Sequence, residues 1–365
     1  MAATTDEFDL AVVGAGIVGL AHADAAARRG LRVVVVERST AIVGSSIRNF
    51  GHLGIGMHAG PAGEYAQRSR ALWFDLAERA GFWMRTDGAL LVAQAGDELA
   101  VLEESVAGAM LTAAEVERLA PVVGAVGGLH SARDLQVDPR EAAPAIAAYL
   151  EASGVEFRWR TSALGATNGI LHTSRGDIKA ANVVFAVNFD VDQLFPELAE
   201  RHGVVRCALD MLLADGVGLG MPLLTGSSML RYSAFADAPS APALRERLAR
   251  ESPELITLDI NQMYTERPDG SLVIGDTHAR GTAVSPFQDE RSAVTLERIT
   301  HELFGRRVRV RERWQGVYAS APEDFLVESP SEGVHVVAVT TGIGMTTGLG
   351  LGESVVATLF GSSGS

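Results

Sequence analysis

Three glycines spaced Gly14-x-Gly16-x-x-Gly19, with an acid at Glu37, are the residues here whose types and spacing imply chemistry most directly. Gly14 permits a tight turn, Gly16 lets backbone approach a pyrophosphate, and Gly19 lets a helix pack closely on a strand. A helix beginning at that turn offers free N–H groups and a positive dipole end to phosphate. Glu37 stands about twenty residues further on, where a carboxylate grips both ribose hydroxyls and repels a 2′-phosphate. The chemistry implied is dinucleotide binding. Other reactive types are sparse. The nine histidines show no metal spacing: His52 and His58 stand six apart in a glycine loop, and no HxxxH occurs, so no metal site is expected. Cys207 is the only cysteine, which excludes a disulfide framework and a cysteine-based metal site. Lys179 is the only lysine among 31 basic residues, so almost any catalytic or oxygen-activating lysine is ruled out.

The elements that must position these residues are legible around them. Leu10 to Val13 is a short apolar run, read as a buried strand; Leu20 to Arg29 is Ala-rich and helical, ended by Gly30; Val33 to Val36 is a second buried strand delivering Glu37. Strand, glycines, helix, strand and acid follow one another in register, which is the context the motif needs.

The 365 residues suffice for about two domains. A hydrophobic content of 47% with 21% charged residues describes an ordinary globular chain. The net charge of −14 argues against nucleic acid or an anionic membrane as partner, though a local arginine cluster would still bind a small anion. Met1 to Glu7 lacks the form of a signal peptide and no run reaches transmembrane length, so a cytoplasmic protein is expected. Gly361 to Ser365 reads as a flexible tail.

Further along, Pro61 to Ala80 has helical spacing with Tyr65, Leu72, Leu76 and Ala80 as its inward face, and Phe82 to Val92 suggests a hairpin about Asp87-Gly88. Asp97 to Ala107 and Ala113 to Leu119 read as helices, the second with a Thr112/Glu115 capping box. Gly127 to Val137 is strand-like. Asp138 caps a helix running to Ser153, with Pro139 in its first turn. Val155 to Trp159 is a strand and Ala163 to Val187 a three-strand meander. Val204 to Asp276 is mostly strands around a helix near Ala243 to Arg250. Glu290 to Leu303 is a helix, Val308 to Val317 a long strand and Val334 to Val339 a buried one; Gly342 to Gly348 opens the last helix. Segments 1–80, 138–200 and 320–360 are expected to form a nucleotide-binding domain. Segments 81–137 and 201–319 are expected to form an interleaved, mostly antiparallel substrate domain. A nucleotide domain completed by the C-terminal strand and helix is what an extended flavin dinucleotide needs.

With these motifs in place the chain resembles the D-amino-acid oxidase superfamily of FAD-dependent oxidoreductases, in the branch of glycine oxidase and sarcosine oxidase. The carriers are the Gly14 to Glu37-Arg38 unit, the loop Gly44-Ser45-Ser46-Ile47-Arg48-Asn49, Arg267 to Gly275, Trp314 to Tyr318 and the glycine-rich close after Val339. More narrowly, Ser46 to Leu53 and Phe195-Pro196-Glu197 resemble the group found beside phosphonate-breakdown genes, for which aminophosphonate oxidation is proposed. The resemblance implies an α/β, two-domain fold, a Rossmann-like FAD-binding domain beside an antiparallel substrate domain. Besides the glycines it implies that Glu37 holds the adenosine ribose and that Ser45, Ser46, Arg48 and Asn49 line the pyrophosphate and flavin side. Gly342, Gly344, Met345, Thr346 and Thr347 would bring a helix N-terminus near the flavin pyrimidine ring. Arg38 belongs to the same cofactor set.

The chain departs from the family at three places. Gly316 stands where sarcosine oxidases carry the cysteine of a covalent flavin, so FAD is expected to be non-covalent. Tyr318 stands where glycine oxidase has its carboxylate-binding arginine. The small-x-Gly after the third nucleotide-domain strand reads Ala186-Val187-Asn188, and Asn tolerates the left-handed conformation better than most residues. Arg48, Arg231 and Tyr232 are candidates to converge on an anionic substrate group, the alternative for the arginines being surface charge. His52 is read either as a base or anion contact or as a structural hydrogen bond. Tyr264 and Tyr318 either line the pocket or pack within the sheet; Met211, Met221 and Met263 read as core filler. Gly275-Asp276-Thr277-His278 echoes the Gly-Asp motif of flavin aromatic hydroxylases but stands in the wrong part of the chain, and that reading is rejected. The expected activity is oxidation of a small amine bearing an anionic group, with oxygen or another electron acceptor as second partner. The alternatives are a dehydrogenase using a different acceptor and a flavin-binding protein that has lost turnover.

Overall fold

The computed structural model describes residues 7–105, 108–235 and 237–361. At its centre the strand Glu7–Val13, the helix Ile17–Ala27 and the strand Val33–Val36 form the βαβ unit expected from the sequence. The strands are parallel, with Leu10 opposite Val33 and Val13 opposite Val36. All four valines are buried, the unbroken apolar run of a parallel strand covered on both faces. Ile178–Phe185 and then Val334–Thr341 extend the parallel sheet on one side, and Glu156–Arg158 on the other. Leu20, Trp73 and Val356 belong to the core on one face of this sheet, Phe185 and Leu198 to the core on the other. The meander is present as Ala163–Thr167, Ile170–Thr173 and Ile178–Phe185.

One strand joins the two halves of the molecule. Val310–Ser331 pairs antiparallel with Val334–Thr341 through its C-terminal part and with Val205–Asp215 through its N-terminal part. The sheet then continues through Ser271–Gly275, Met263–Glu266, Leu223–Leu224, Ala89–Ala93 and Gly127–Ser131, mostly antiparallel. Leu296, Ile299 and Leu303 of the helix Glu290–Phe304 belong to its core. The fold is thus a two-domain α/β architecture built on a large, mostly antiparallel sheet. No helix among the described residues is long and apolar enough to cross a membrane.

Several local expectations are corrected. The strand expected to end at Val317 runs on to Ser331: its pairing slips between Ser320 and Phe325, around Pro322, and resumes. The hairpin at Asp87-Gly88 is absent. Met84–Arg85 pairs with Leu135–Val137 in a small separate sheet, while Ala89–Ala93 joins the large one. Gly127 to Val137 is accordingly two strands. The inward face of Gly60–Ala80 is Ala62, Ala66, Ser69, Trp73 and Leu76, with Tyr65 and Leu72 only half-buried. Ala66 and Ser69 on that face are small where the last helix, Gly344–Phe360, approaches closely. A Cβ at Gly350 would lie 2.5 Å from the Tyr65 carbonyl, and Gly350 N donates to Ser69 Oγ at 2.8 Å. Between Asp215 and Met263 helices outweigh strands: Gly226–Met229, Ala241–Glu251 and Pro253–Thr257. The helix expected to reach Ala107 ends at Glu103; Ala107 itself, Met1 to Asp6 and Ser362 to Ser365 of the expected tail lie outside the described residues.

Candidate functional site

The carboxyl ends of the parallel strands deliver the glycine turn, Glu37, Ala186 to Asn188 and Gly342 to one side of the sheet, where α/β folds bind ligands. The three glycines divide their work. Gly14 has φ +104°, and a Cβ there would lie 2.5 Å from the Ala186 carbonyl; one on Gly19 would lie 1.9 Å from the Gly14 carbonyl, so helix and turn touch backbone to backbone. Gly16 is different: φ is −70° and its Cβ would meet only Ser46 Oγ, at 3.1 Å, so its open side faces the cleft. Ser46 Oγ accepts from Ile17 N at 2.9 Å, tying the loop to the helix N-terminus. The Glu37 carboxylate accepts from Ala15 N at 3.0 Å and Ser39 N at 2.8 Å, which orients it beside the turn with acceptor capacity to spare. Arg38 pairs with Asp190 at 2.7 Å on the same wall.

These residues line a cavity that continues into a second one through the shared residues Gly16, Ser45, Ser46, Arg48, Ala186, Asn188 and Val317. Asn49 stabilises the connecting loop, its Nδ2 donating to the Ser45 and Ser46 carbonyls at 2.9 and 3.1 Å while its Oδ1 accepts from Gly51 N. Asn188, at φ +55°, donates from Nδ2 to Ser45 Oγ at 2.8 Å and accepts Ala319 N at 2.7 Å. Asparagine thus adopts the left-handed backbone here and links the loop to the long strand. Arg48 is exposed and donates across the cleft to the Gln315 carbonyl at 3.1 Å. His52 lines the wall, its Nε2 2.8 Å from the fully buried Asp134, which also accepts Gly56 N. This pair anchors the ring, and His52 keeps its place on the cavity wall. Of the closing loop, Gly342, Gly344, Met345 and Thr346 line the cavity, and Thr346 Oγ1 accepts Gly54 N at 3.0 Å. Thr347 is buried behind them, bonded to the Ile343 carbonyl.

The far end of the second cavity is lined by Arg231, Tyr232, Asn261, Met263, Asp276, His278 and Tyr318. Arg231 Nη1 lies 2.6 Å from Asp259 Oδ1, and Arg280 Nη1 lies 2.6 Å from Asp259 Oδ2. Burial works to raise Asp259, yet Arg231 and Arg280 hold it below the usual carboxylate range. Burial, reinforced by Arg231, holds His278 well below the usual imidazole range, so the ring is neutral. Its Nδ1 faces the Asp259 carbonyl at 2.8 Å and therefore carries the hydrogen, leaving Nε2 as an acceptor. Burial pushes Asp276 up to about 7, against the pull of Arg231. Burial also raises the phenols, Tyr232 to about 12 and Tyr318 upward likewise, so both are neutral donors. Arg231, Tyr232 and Tyr318, named from the sequence, are therefore together. Tyr264 is not with them. Met263 faces the cavity, so the next residue of the strand points to the opposite face, where Tyr264 is fully buried against Phe304 and bonded to Gln262 and Thr300. Sequence reasoning passed over Asn261, Asp276 and His278. The available signal was the spacing of Asp276 and His278 just beyond an apolar strand, which puts both on one face.

Residues 9–358 match the family model described as DAO, FAD dependent oxidoreductase. No curated protein matched the sequence. Among solved structures, glycine oxidase from Bacillus cereus superposes with a TM-score of 0.79 at 19% identity, covering 98% of this chain and 96% of that one. L-proline dehydrogenase from P. horikoshii gives 0.79 at 17% identity, covering 98% and 94%. Reduced L-alpha-glycerophosphate oxidase from Mycoplasma pneumoniae, with FAD bound, gives 0.77 at 17%, covering 97% and 96%.

Proposed function

Since the chain belongs to the DAO family of FAD-dependent oxidoreductases, we propose that it oxidises the C–N bond of a small amine carrying an anionic group, an amino acid or an aminophosphonate. FAD, when bound, supplies the acceptor for the hydride that leaves the carbon beside nitrogen. The substrate becomes an imine, which takes up water to give an aldehyde or oxo acid plus ammonia or an amine. The residues present fit FAD. Gly16 leaves a cradle that a side chain would fill, Glu37 is oriented for a ribose, and the cleft is continuous from that acid to Gly342.

Arg231 carries the reading of the substrate. It lines the same inner end of the cleft as Tyr318, which stands at the position resembling the glycine-oxidase arginine. Asp259 is shared by two guanidiniums, so the cluster keeps a surplus positive charge for a substrate anion. Arg48, at the exposed junction of the two cavities, is placed to meet cofactor as well as substrate. Tyr232 and Tyr318 supply neutral hydroxyls beside Arg231. Lys179 lies exposed on the strand Ile178–Phe185 and lines neither cavity. That observation favours an acceptor other than oxygen as the second reading, oxygen with release of hydrogen peroxide being the first.

Anaerobic mixing of the yellow protein with a panel of amino acids, aminophosphonates and neutral amines tests the proposal. Flavin absorbance should bleach with anionic amines and remain with neutral ones. Bleaching by neutral amines alone would refute it, and reoxidation by air against a quinone dye separates the two acceptors.

A further inference from the structure

Asn261 and Asp276 face each other just beyond the ends of the strands Met263–Glu266 and Ser271–Gly275. Asn261 N donates to the Asp276 carbonyl at 2.9 Å and Asp276 N to the Asn261 carbonyl at 2.8 Å, a reciprocal backbone pair that holds the two residues side by side. Both line the inner cavity, and both are buried, at 5% and 6% exposure. Neither Asp276 Oδ1 nor Asn261 Oδ1 has a hydrogen-bond partner among the described residues. Native interiors seldom leave a buried acceptor unpaired, and here two stand side by side. His278 Nε2 lies 3.7 Å from Asp276 Oδ2, beyond hydrogen-bond range and itself an acceptor, and the Asn261 side chain is the neutral group that interacts with the Asp276 carboxyl. This wall therefore presents acceptors, while Arg231, Tyr232 and Tyr318 present donors. A ligand that satisfies both carries several N–H donors at one end and an anion at the other.

We propose that Asp276, with Asn261 beside it, receives the substrate's ammonium group and takes one proton from it. This rests on the amine-oxidising reading above. In the step an N–H bond of the ammonium breaks, an O–H bond forms on Asp276, and the electron pair stays on nitrogen. A buried ammonium–carboxylate pair becomes a neutral amine and a neutral acid, which burial favours on both sides. The amine then holds the lone pair that assists loss of hydride from the neighbouring carbon. Arg231, Asp259, Arg280, His278, Tyr232, Tyr318 and the buried Cys207, whose thiol burial pushes up, are titratable and charged groups around Asp276. All hold one charge state near neutrality, leaving Asp276 to titrate there.

The test uses the FAD-loaded protein and two inert ligands: 2-aminoisobutyrate, which has no hydrogen on the carbon bearing nitrogen, and isobutyrate, which has no amine. Their phosphonate counterparts form a second pair. Binding is read by perturbation of the visible flavin spectrum and by calorimetry. Wild type should prefer the amino member of at least one pair by about tenfold or more. Asp276→Asn should abolish that preference and leave binding of the deaminated member unchanged. A preference retained in Asp276→Asn overturns the role of Asp276 while leaving the amine reading intact. No preference in wild type overturns both. A measurement on wild type alone guards against misfolding of the variant. Calorimetry in buffers of different ionisation enthalpy should show the amino ligand releasing about one proton at pH 6, where free Asp276 is protonated, and almost none at pH 8.5. The deaminated ligand should show no such change, and equal proton release by both ligands would overturn the assignment.

Discussion

Substituting Gly16 and Gly19 separates the cofactor's needs from the fold's. Gly16 has ordinary backbone, φ −70° and ψ 170°, and a Cβ on it would meet only the Ser46 hydroxyl at 3.1 Å. Gly16→Val therefore leaves strand, turn and helix in place and projects two methyl groups into the cleft where its two cavities join. If a pyrophosphate is kept from even one backbone N–H, the loss is about 1.5–3 kcal/mol for a charge-assisted hydrogen bond. That corresponds to roughly 10- to 150-fold weaker FAD binding. Gly19→Ala is the opposite case, because its Cβ would lie 1.9 Å from the Gly14 carbonyl and the helix must move off the strand. Overpacking of this kind costs about 1–3 kcal/mol in stability. Apoprotein titrated with FAD, followed by quenching of flavin fluorescence, gives the affinity, and thermal unfolding of the same apoprotein gives the stability. Wild-type affinity in Gly16→Val, or a loss of stability there matching Gly19→Ala, would refute the division of roles.

At matched FAD content, Arg231→Met should weaken an anionic amine roughly 10- to 150-fold while sparing a neutral amine of similar size. Arg48→Met, at an exposed position, should discriminate between the two amines far less; dissociation constants for both, read from perturbation of the flavin spectrum, decide it. Acid precipitation should release all flavin into the supernatant, because Gly316 lines the cleft where a tether would stand and Cys207 lines neither cavity; colour in the washed pellet would contradict this. Burial pushes His22 down to about 4 although its Nδ1 bonds the Val18 carbonyl. Its folded pKa is depressed, so stability falls as pH drops below the unfolded value near 6.5. Between pH 7 and 5 this one group contributes a loss of about 2 kcal/mol. Urea unfolding of His22→Asn should show a correspondingly shallower fall.

The βαβ unit was readable because each of its parts is local: apolar runs, glycines at fixed offsets, and an acid at the second strand's end. The Thr112/Glu115 box and the Asp138 cap were readable for the same reason, each being a hydrogen bond within one turn. Misreadings arose where distant chain decides. The inward face of Gly60–Ala80 is set by a glycine almost three hundred residues away, and Tyr264 is set by which neighbour takes the cavity side of its strand. Asn188 stands where the family carries glycine, and its side chain makes two hydrogen bonds that glycine would lack and that no local pattern announces. Asp276 and His278 were discarded on a motif comparison, although their spacing alone put them on one face. Arg231 and Arg48 are equal candidates in sequence; only the burial of Arg231 and its partner Asp259 set them apart.

The central claim is that this FAD enzyme takes hydride from the carbon beside nitrogen of an amine that also bears an anion. The most direct measurement is the rate of flavin bleaching without oxygen, using the best anionic amine from the panel in its normal form and with deuterium on that carbon. The account predicts saturable bleaching that is several-fold slower with deuterium, because that C–H bond breaks in the step observed. Bleaching only with anionic alcohols, or a rate indifferent to deuterium at that carbon under single-turnover conditions, would contradict it.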